Sequence, residues 1–100
     1  MKELSLNDLL AQLPTTQEFL ITARRLSILL GADESCIRKK INEARSIGIP
    51  ICSTKRGYYL SNEVGDIQKT IRFLTKRLNT QIKAINGLKA RLKGANNEQR

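Results

Sequence analysis

The sequence contains no histidine and no tryptophan, and it has only two cysteines and two prolines in 100 residues. Cys36 and Cys52 do not form a CxxC pair, so without histidine neither a zinc finger nor a disulfide framework can be written. The usual general base is missing, and no nucleophile-and-base pair or glycine-rich phosphate loop is present. An enzyme is therefore not expected, and neither is a metal or other cofactor. Aromatic area is limited to Phe19, Phe73, Tyr58 and Tyr59, so the core must be aliphatic, and no stacking platform for unpaired bases is visible. Long apolar runs are absent too. No stretch approaches about 18 uninterrupted apolar residues, and Met1 to Leu13 interleaves Lys2, Glu3, Asn7 and Asp8 with its leucines. Neither a signal peptide nor a membrane span is expected, and both cysteines read as reduced, buried packing residues of a cytoplasmic, nucleoid-associated protein.

The most uneven scarcity is of acidic residues. Residues 1–66 carry nine basic side chains against eight acidic ones, a net of +1, whereas residues 67–100 carry nine against Glu98 alone, a net of +8. The two sum to the formal +9, with a pI near 10.1, the electrostatic footprint of a partner rich in phosphate. A chain of this length holds one small domain plus an extension, since a domain takes about 100 to 200 residues.

The residues present divide the chain by period. Leu6, Leu9, Leu10 and Leu13 have helical spacing before Pro14, predicting a short helix over Leu4 to Leu13. Phe19 to Ile21 is a β-prone run. Thr22 is a good N-cap for a helix carrying Ala23, Leu26, Leu29 and Leu30, which Gly31 stops. After a turn of about three residues Asp33 caps a second helix, with Ile37, Ile41 and Ala44 on one face and Gly48 as its stop. Ile49, Ile51, Tyr58 and Leu60 then read as a hairpin around a polar tip, Ser53 to Gly57, with Tyr58 and Tyr59 on opposite faces, one inward and one on the surface.

Helix, short glycine turn, helix and basic-tipped hairpin is the order of a winged helix-turn-helix, whose chemistry is binding. With Ile37, Ile41 and Ala44 inward, Ser35, Arg38, Lys39 and Asn42 turn outward. Arg and Lys suit guanine O6 and N7, and the planar amide of Asn42 suits adenine N6 and N7. Lys55 and Arg56 at the hairpin tip, Arg45 further along the helix and Thr22 at a helix N-terminus are candidates for the phosphate backbone. Outside this frame the same charged row would be an ordinary solvated helix face.

Residues 22–60, TARRLSILLGADESCIRKKINEARSIGIPICSTKRGYYL, resemble the winged-helix DNA-binding domain of the biotin repressor family. The matching features are Leu26, the Leu30-Gly31 pair, Asp33, then Ile37, Lys39 and Ile41, followed by Arg45, Gly48 and the Gly57-Tyr58-x-Leu60 ending. The resemblance covers about 40 of the 100 residues. It implies that Ser35, Arg38, Lys39 and Asn42 approach bases and that Lys55 and Arg56 touch the backbone. Nothing resembles that family's biotin-binding and ligase region, so no small-molecule activity is implied.

Beyond Gly65, Ile71, Leu78, Ile85 and Leu92 recur every seven residues as heptad a positions. Ile67, Leu74 and Leu88 occupy d, with Gln81 in the same register and Ile82 one step on. Ile67, Ile71, Leu74, Leu78, Ile85, Leu88 and Leu92 are the candidate dimerisation residues.

The sequence thus predicts a mainly α fold with a small β-hairpin wing: a winged helix-turn-helix over 1–62, a coiled-coil-like dimerisation helix over 63–94 and a disordered tail over 95–100. The function expected is that of a small homodimeric, sequence-specific double-stranded DNA-binding regulator of transcription. Phage or plasmid replication or partition would use the same binding chemistry. An assembly or membrane-surface protein acting through its basic amphipathic helix is the alternative from another class, although Phe73 alone is a poor membrane anchor and no membrane partner is expected.

Overall fold

A computed structural model of the chain describes residues 4–98. These divide into two units, one running to Thr70 and one beginning at Ile71. In the first unit, helix α1 spans Leu6–Gln12 and starts where Ser5 accepts a hydrogen bond from the Asp8 backbone N–H at 3.3 Å. Its leucines point one way, burying Leu9 and Leu13, and Pro14 ends it. The Pro14 carbonyl then accepts from the Leu60 N–H at 2.8 Å, which ties the end of α1 to the hairpin.

The β-prone run is realised differently from the expectation. Gln17–Phe19 form one 3-10 turn with Phe19 exposed, and the only extended pairing is a single bridge between Ile21 and Tyr58, closed by N–H to carbonyl bonds of 3.1 and 2.8 Å. Gly57 permits this approach. It sits at φ +152°, and a Cβ there would lie 2.5 Å from the Ile21 carbonyl oxygen.

Helix α2, Ala23–Leu30, is capped by Thr22, whose hydroxyl accepts from the Arg25 N–H at 3.0 Å. Gly31 stops it in the left-handed conformation at φ +63°. Helix α3, Glu34–Ser46, follows after Gly31, Ala32 and Asp33. Asp33 holds the N-cap position without making a side-chain cap bond. The core lies between these helices and the hairpin: Leu9, Leu13, Ala23, Leu26, Ile37, Ile41, Ala44 and Ile51, with Ile21, Leu30, Tyr58 and Leu60 packed around it.

Strands β1, Ile51–Thr54, and β2, Gly57–Leu60, pair antiparallel, with Ile51 opposite Leu60 and Thr54 opposite Gly57. Ser53 and Thr54 belong to β1, so the expected tip over Ser53 to Gly57 shortens to Lys55 and Arg56. The two tyrosines do alternate, yet neither is a surface residue. Tyr58 is half-buried against the core, and Tyr59 is buried on the opposite face. There burial, the nearby Asp66 carboxylate and Cys52, and a hydrogen bond with Asp66 push the Tyr59 pKa up to about 12. On this same face Ser61 donates to Asp66 at 2.7 Å, the Ser53 N–H donates to Thr70 Oγ1 at 3.2 Å, and Thr70 donates to the Asp66 carbonyl at 2.9 Å.

Helix α4, Val64–Glu98, begins in the first unit and makes up the described part of the second. It runs without interruption through Gly87 and Gly94, and residues 95–98, expected in a disordered tail, are helical. Residues 99 and 100 of that tail lie outside the described residues. No described helix is long and apolar enough to cross a membrane.

Candidate nucleic-acid interface

Helix α3 has two unlike faces. Ile37, Ile41 and Ala44 are at most 1% exposed, while Ser35, Arg38, Lys39 and Asn42 are all exposed, at spacings of three and four that align them along one side. Anchoring one face in the core fixes the direction of the other. The row presents a hydroxyl, a guanidinium, an ammonium and an amide, and together these can donate to and accept from base edges. Glu34 holds Arg38 through a 3.3 Å bond from Nη2 to Oε1, one turn away. Both side chains are exposed, so the pair is worth well under about 1 kcal/mol and opens readily for a stronger acceptor. This pair was not anticipated from the sequence, although its i, i+4 spacing could have shown it. Lys40 pairs with Glu43 at 3.2 Å on the flank of the row.

Arg45, expected at the phosphate backbone, is half-buried and bonded within its own domain. Its Nε donates to the Ile51 carbonyl at 2.8 Å, its Nη2 donates to Ser53 Oγ at 3.0 Å, and its guanidinium lies 5.8 Å from the Tyr58 ring centroid. Burial holds its pKa below the ordinary arginine value, against the opposing pull of Tyr58 and Cys52. Arg45 thus fastens the last turn of α3 to β1. Its spacing from Ile51 and Ser53 carried no sequence signal, because the contact depends on where the hairpin packs.

The clamp gives α3 and the hairpin a common base. At the tip, Lys55 and Arg56 are exposed and carry no ion pair among the described residues. The Arg56 N–H donates to Thr54 Oγ1 at 3.0 Å, which shapes the turn. Thr22 is exposed, with its oxygen engaged as the α2 cap, and Arg24 and Arg25 in the first turn of α2 are exposed as well.

Cysteine placement is corrected in part. Cys52 is buried, with Sγ 3.8 Å from the Ser61 carbonyl, but Cys36 is exposed on the flank of α3 and is not a packing residue. Among the described residues no group of histidine, cysteine, aspartate or glutamate is arranged to hold a metal ion.

The candidate dimerisation residues fall in two sets. Ile67 and Leu74 are half-buried, while Ile71, Leu78, Ile85, Leu88 and Leu92 are exposed, along with Ile82 and, one heptad before Ile71, Val64. No protein-family model matches the chain, and neither a curated protein nor a solved structure matches it.

Proposed function

We propose that this chain is a winged helix-turn-helix protein that reads double-stranded DNA with α3 and acts as a small regulator of transcription, with two copies joined through the C-terminal helix. One observation carries the reading. The exposed Ser35, Arg38, Lys39 and Asn42 line the side of a helix whose other side is sealed into the core, and Arg45 fixes that helix to a hairpin tipped by Lys55 and Arg56.

A recognition helix must hold donors and acceptors still while its own domain supplies no competing strong partner. The row meets this requirement, since among the described residues its only ion pair is the weak surface bond from Arg38 to Glu34. Lys55 and Arg56 supply cations of the kind that set register on phosphate without reading sequence. With two copies, each row engages one half-site, and half-sites on successive major grooves lie about 34 to 36 Å apart.

The deciding experiment compares polyanions. The protein is titrated into a mixed-sequence DNA duplex and, separately, into vesicles containing phosphatidylserine, across a range of salt. The expected result is duplex binding whose log affinity falls with log salt by about 0.9 per phosphate contacted, with a shallower slope after Lys55→Gln and Arg56→Gln, and no co-sedimentation with vesicles. Vesicle binding that outcompetes the duplex would instead make the basic amphipathic helix a membrane-surface element and overturn the DNA reading.

A further inference from the structure

The second unit presents an apolar stripe that is largely exposed among the described residues. Ile85 is 50% exposed and Leu88 71% exposed, on a helix that continues to Glu98. We infer that a second copy of this chain covers the stripe as a parallel, in-register partner, with Gln81 meeting Gln81 of the second copy. The inference rests on the self-pairing proposed above and specifies its geometry.

The positions of the charges select this geometry. With Val64, Ile71, Leu78, Ile85 and Leu92 at a, the segment from Ile67 to Lys93 has eight cations and no anion, which at first sight forbids self-association. Five of the eight, Lys69, Arg72, Lys76, Lys83 and Lys93, stand at b or f, which face away from a partner helix. Only Arg77, Lys89 and Arg91 flank the stripe, at g or e. In a parallel in-register pair each g residue crosses to the e residue five positions on in the other helix. Among the described side chains the crossings are then Thr70 with Thr75, Arg77 with Ile82 and Ala84 with Lys89, and none brings two cations together. The Arg77 guanidinium, 5.3 Å from the Phe73 ring centroid in its own helix, already has a stacking surface there.

Antiparallel pairs place a against d. In the three registers of greatest overlap, Gln81 then meets Ile71, Leu78 or Ile85 of the second copy, so a buried amide always faces an apolar side chain with no hydrogen-bond partner. Two of those registers also set Arg77 against Arg77 or Arg91 of the second copy. The remaining one avoids like charges but buries Gln81 against Leu78 twice. Only parallel in-register pairing both separates the cations and lets Gln81 bond with its own equivalent, as a polar core residue does when it fixes register.

The full chain carrying Cys36→Ser, with Cys52 left in its buried position, is the background for the test. Leu88→Cys is equilibrated alone and in an equimolar mixture with Ile71→Cys in a glutathione redox buffer, so that disulfides exchange to the preferred pairing. The expected products are the 88–88 and 71–71 covalent dimers, without the mixed 71–88 species, because in a parallel pair those positions are about 25 Å apart along the axis. A predominant mixed species would establish antiparallel pairing and overturn the inference while leaving self-association intact. Sedimentation equilibrium of the unmodified chain separates the two failures. Self-association should strengthen as salt rises from about 0.1 to about 1 M and screening shortens from about 10 to about 3 Å, the reverse of DNA binding. A monomer across that whole range would overturn the second copy as occupant.

Discussion

Up to Thr70 the chain folds by burying its own side chains, and from Ile71 onward no described side chain is fully buried. Every hydrophobic residue of the core, from Leu9 to Tyr59, lies in the first unit, whereas in the second Leu74 is half-buried and Ile71, Leu78, Ile85, Leu88 and Leu92 are half exposed or more. Both regions are aliphatic, so composition does not separate them. The first changes period several times within 60 residues, and each change lets one element fold against the last. The second keeps one helical period throughout, so its apolar stripe has no other element of the same unit to meet. Charge is divided in much the same way: near balance over residues 1–66, and +8 over residues 67–100.

Matched truncations break this comparison most sharply. Leu26→Ala, at a side chain with no exposure, should cost about 2 to 5 kcal/mol of unfolding free energy, independent of protein concentration. Ile85→Ala should leave tyrosine-monitored unfolding of the first unit unchanged and lower only the concentration-dependent helix signal at 222 nm. If the two variants lost stability in the same way, the regions would not be distinct.

Arg45→Met keeps the aliphatic stem and removes both hydrogen bonds from α3 to β1, so it should destabilise the first unit by about 1.5 to 3 kcal/mol, read by denaturant unfolding. A phosphate-contacting Arg45 would instead lower DNA affinity with little change in stability.

Tyr59 gives a pH test. Its pKa in the fold is about 12 against an ordinary 10.0, so the protein prefers the neutral phenol. The contribution is complete below pH 10 and is lost as pH rises from 10 through 12, amounting to about 3 kcal/mol at most. Tyr59→Phe should remove that part of the alkaline loss, seen as a smaller fall in the denaturation midpoint over this window than in the unaltered chain.

The smallest effect expected is from Gln81→Leu. It should raise the melting temperature of the paired C-terminal helices by a few degrees while broadening the oligomer distribution in sedimentation, since a polar core layer exchanges stability for register.

Much of this organisation was legible in the residues. Thr22 and Gly31 marked the limits of α2, the Ile37, Ile41 and Ala44 spacing named the buried face of α3, and thereby its open face, and the heptads named the uncovered stripe. What was not legible depends on contacts distant in sequence. Phe19 to Ile21 has strand propensity, but only one bridge, Ile21 to Tyr58, forms there, at an approach that Gly57 permits. Arg45 looks like a surface cation until β1 packs beside it, and alternation leaves one of Tyr58 and Tyr59 on the surface until the start of α4 brings Asp66 to Tyr59. Cys36 was misplaced because cysteine is usually buried, a compositional tendency that the helical wheel, placing it off the apolar face, could have overruled.

The central claim is that the exposed row of α3 reads base pairs. It is tested most directly by selecting bound duplexes from a random library, at about physiological salt, with the unaltered protein and with Asn42→Ala in parallel. The account predicts a twofold-repeated motif for the first. For the second it predicts the same motif with preference lost at one base pair per half-site, equivalent to about 1 to 3 kcal/mol. Recovery of an unchanged motif by Asn42→Ala, or of no motif by the unaltered protein despite tight binding at low salt, would contradict it.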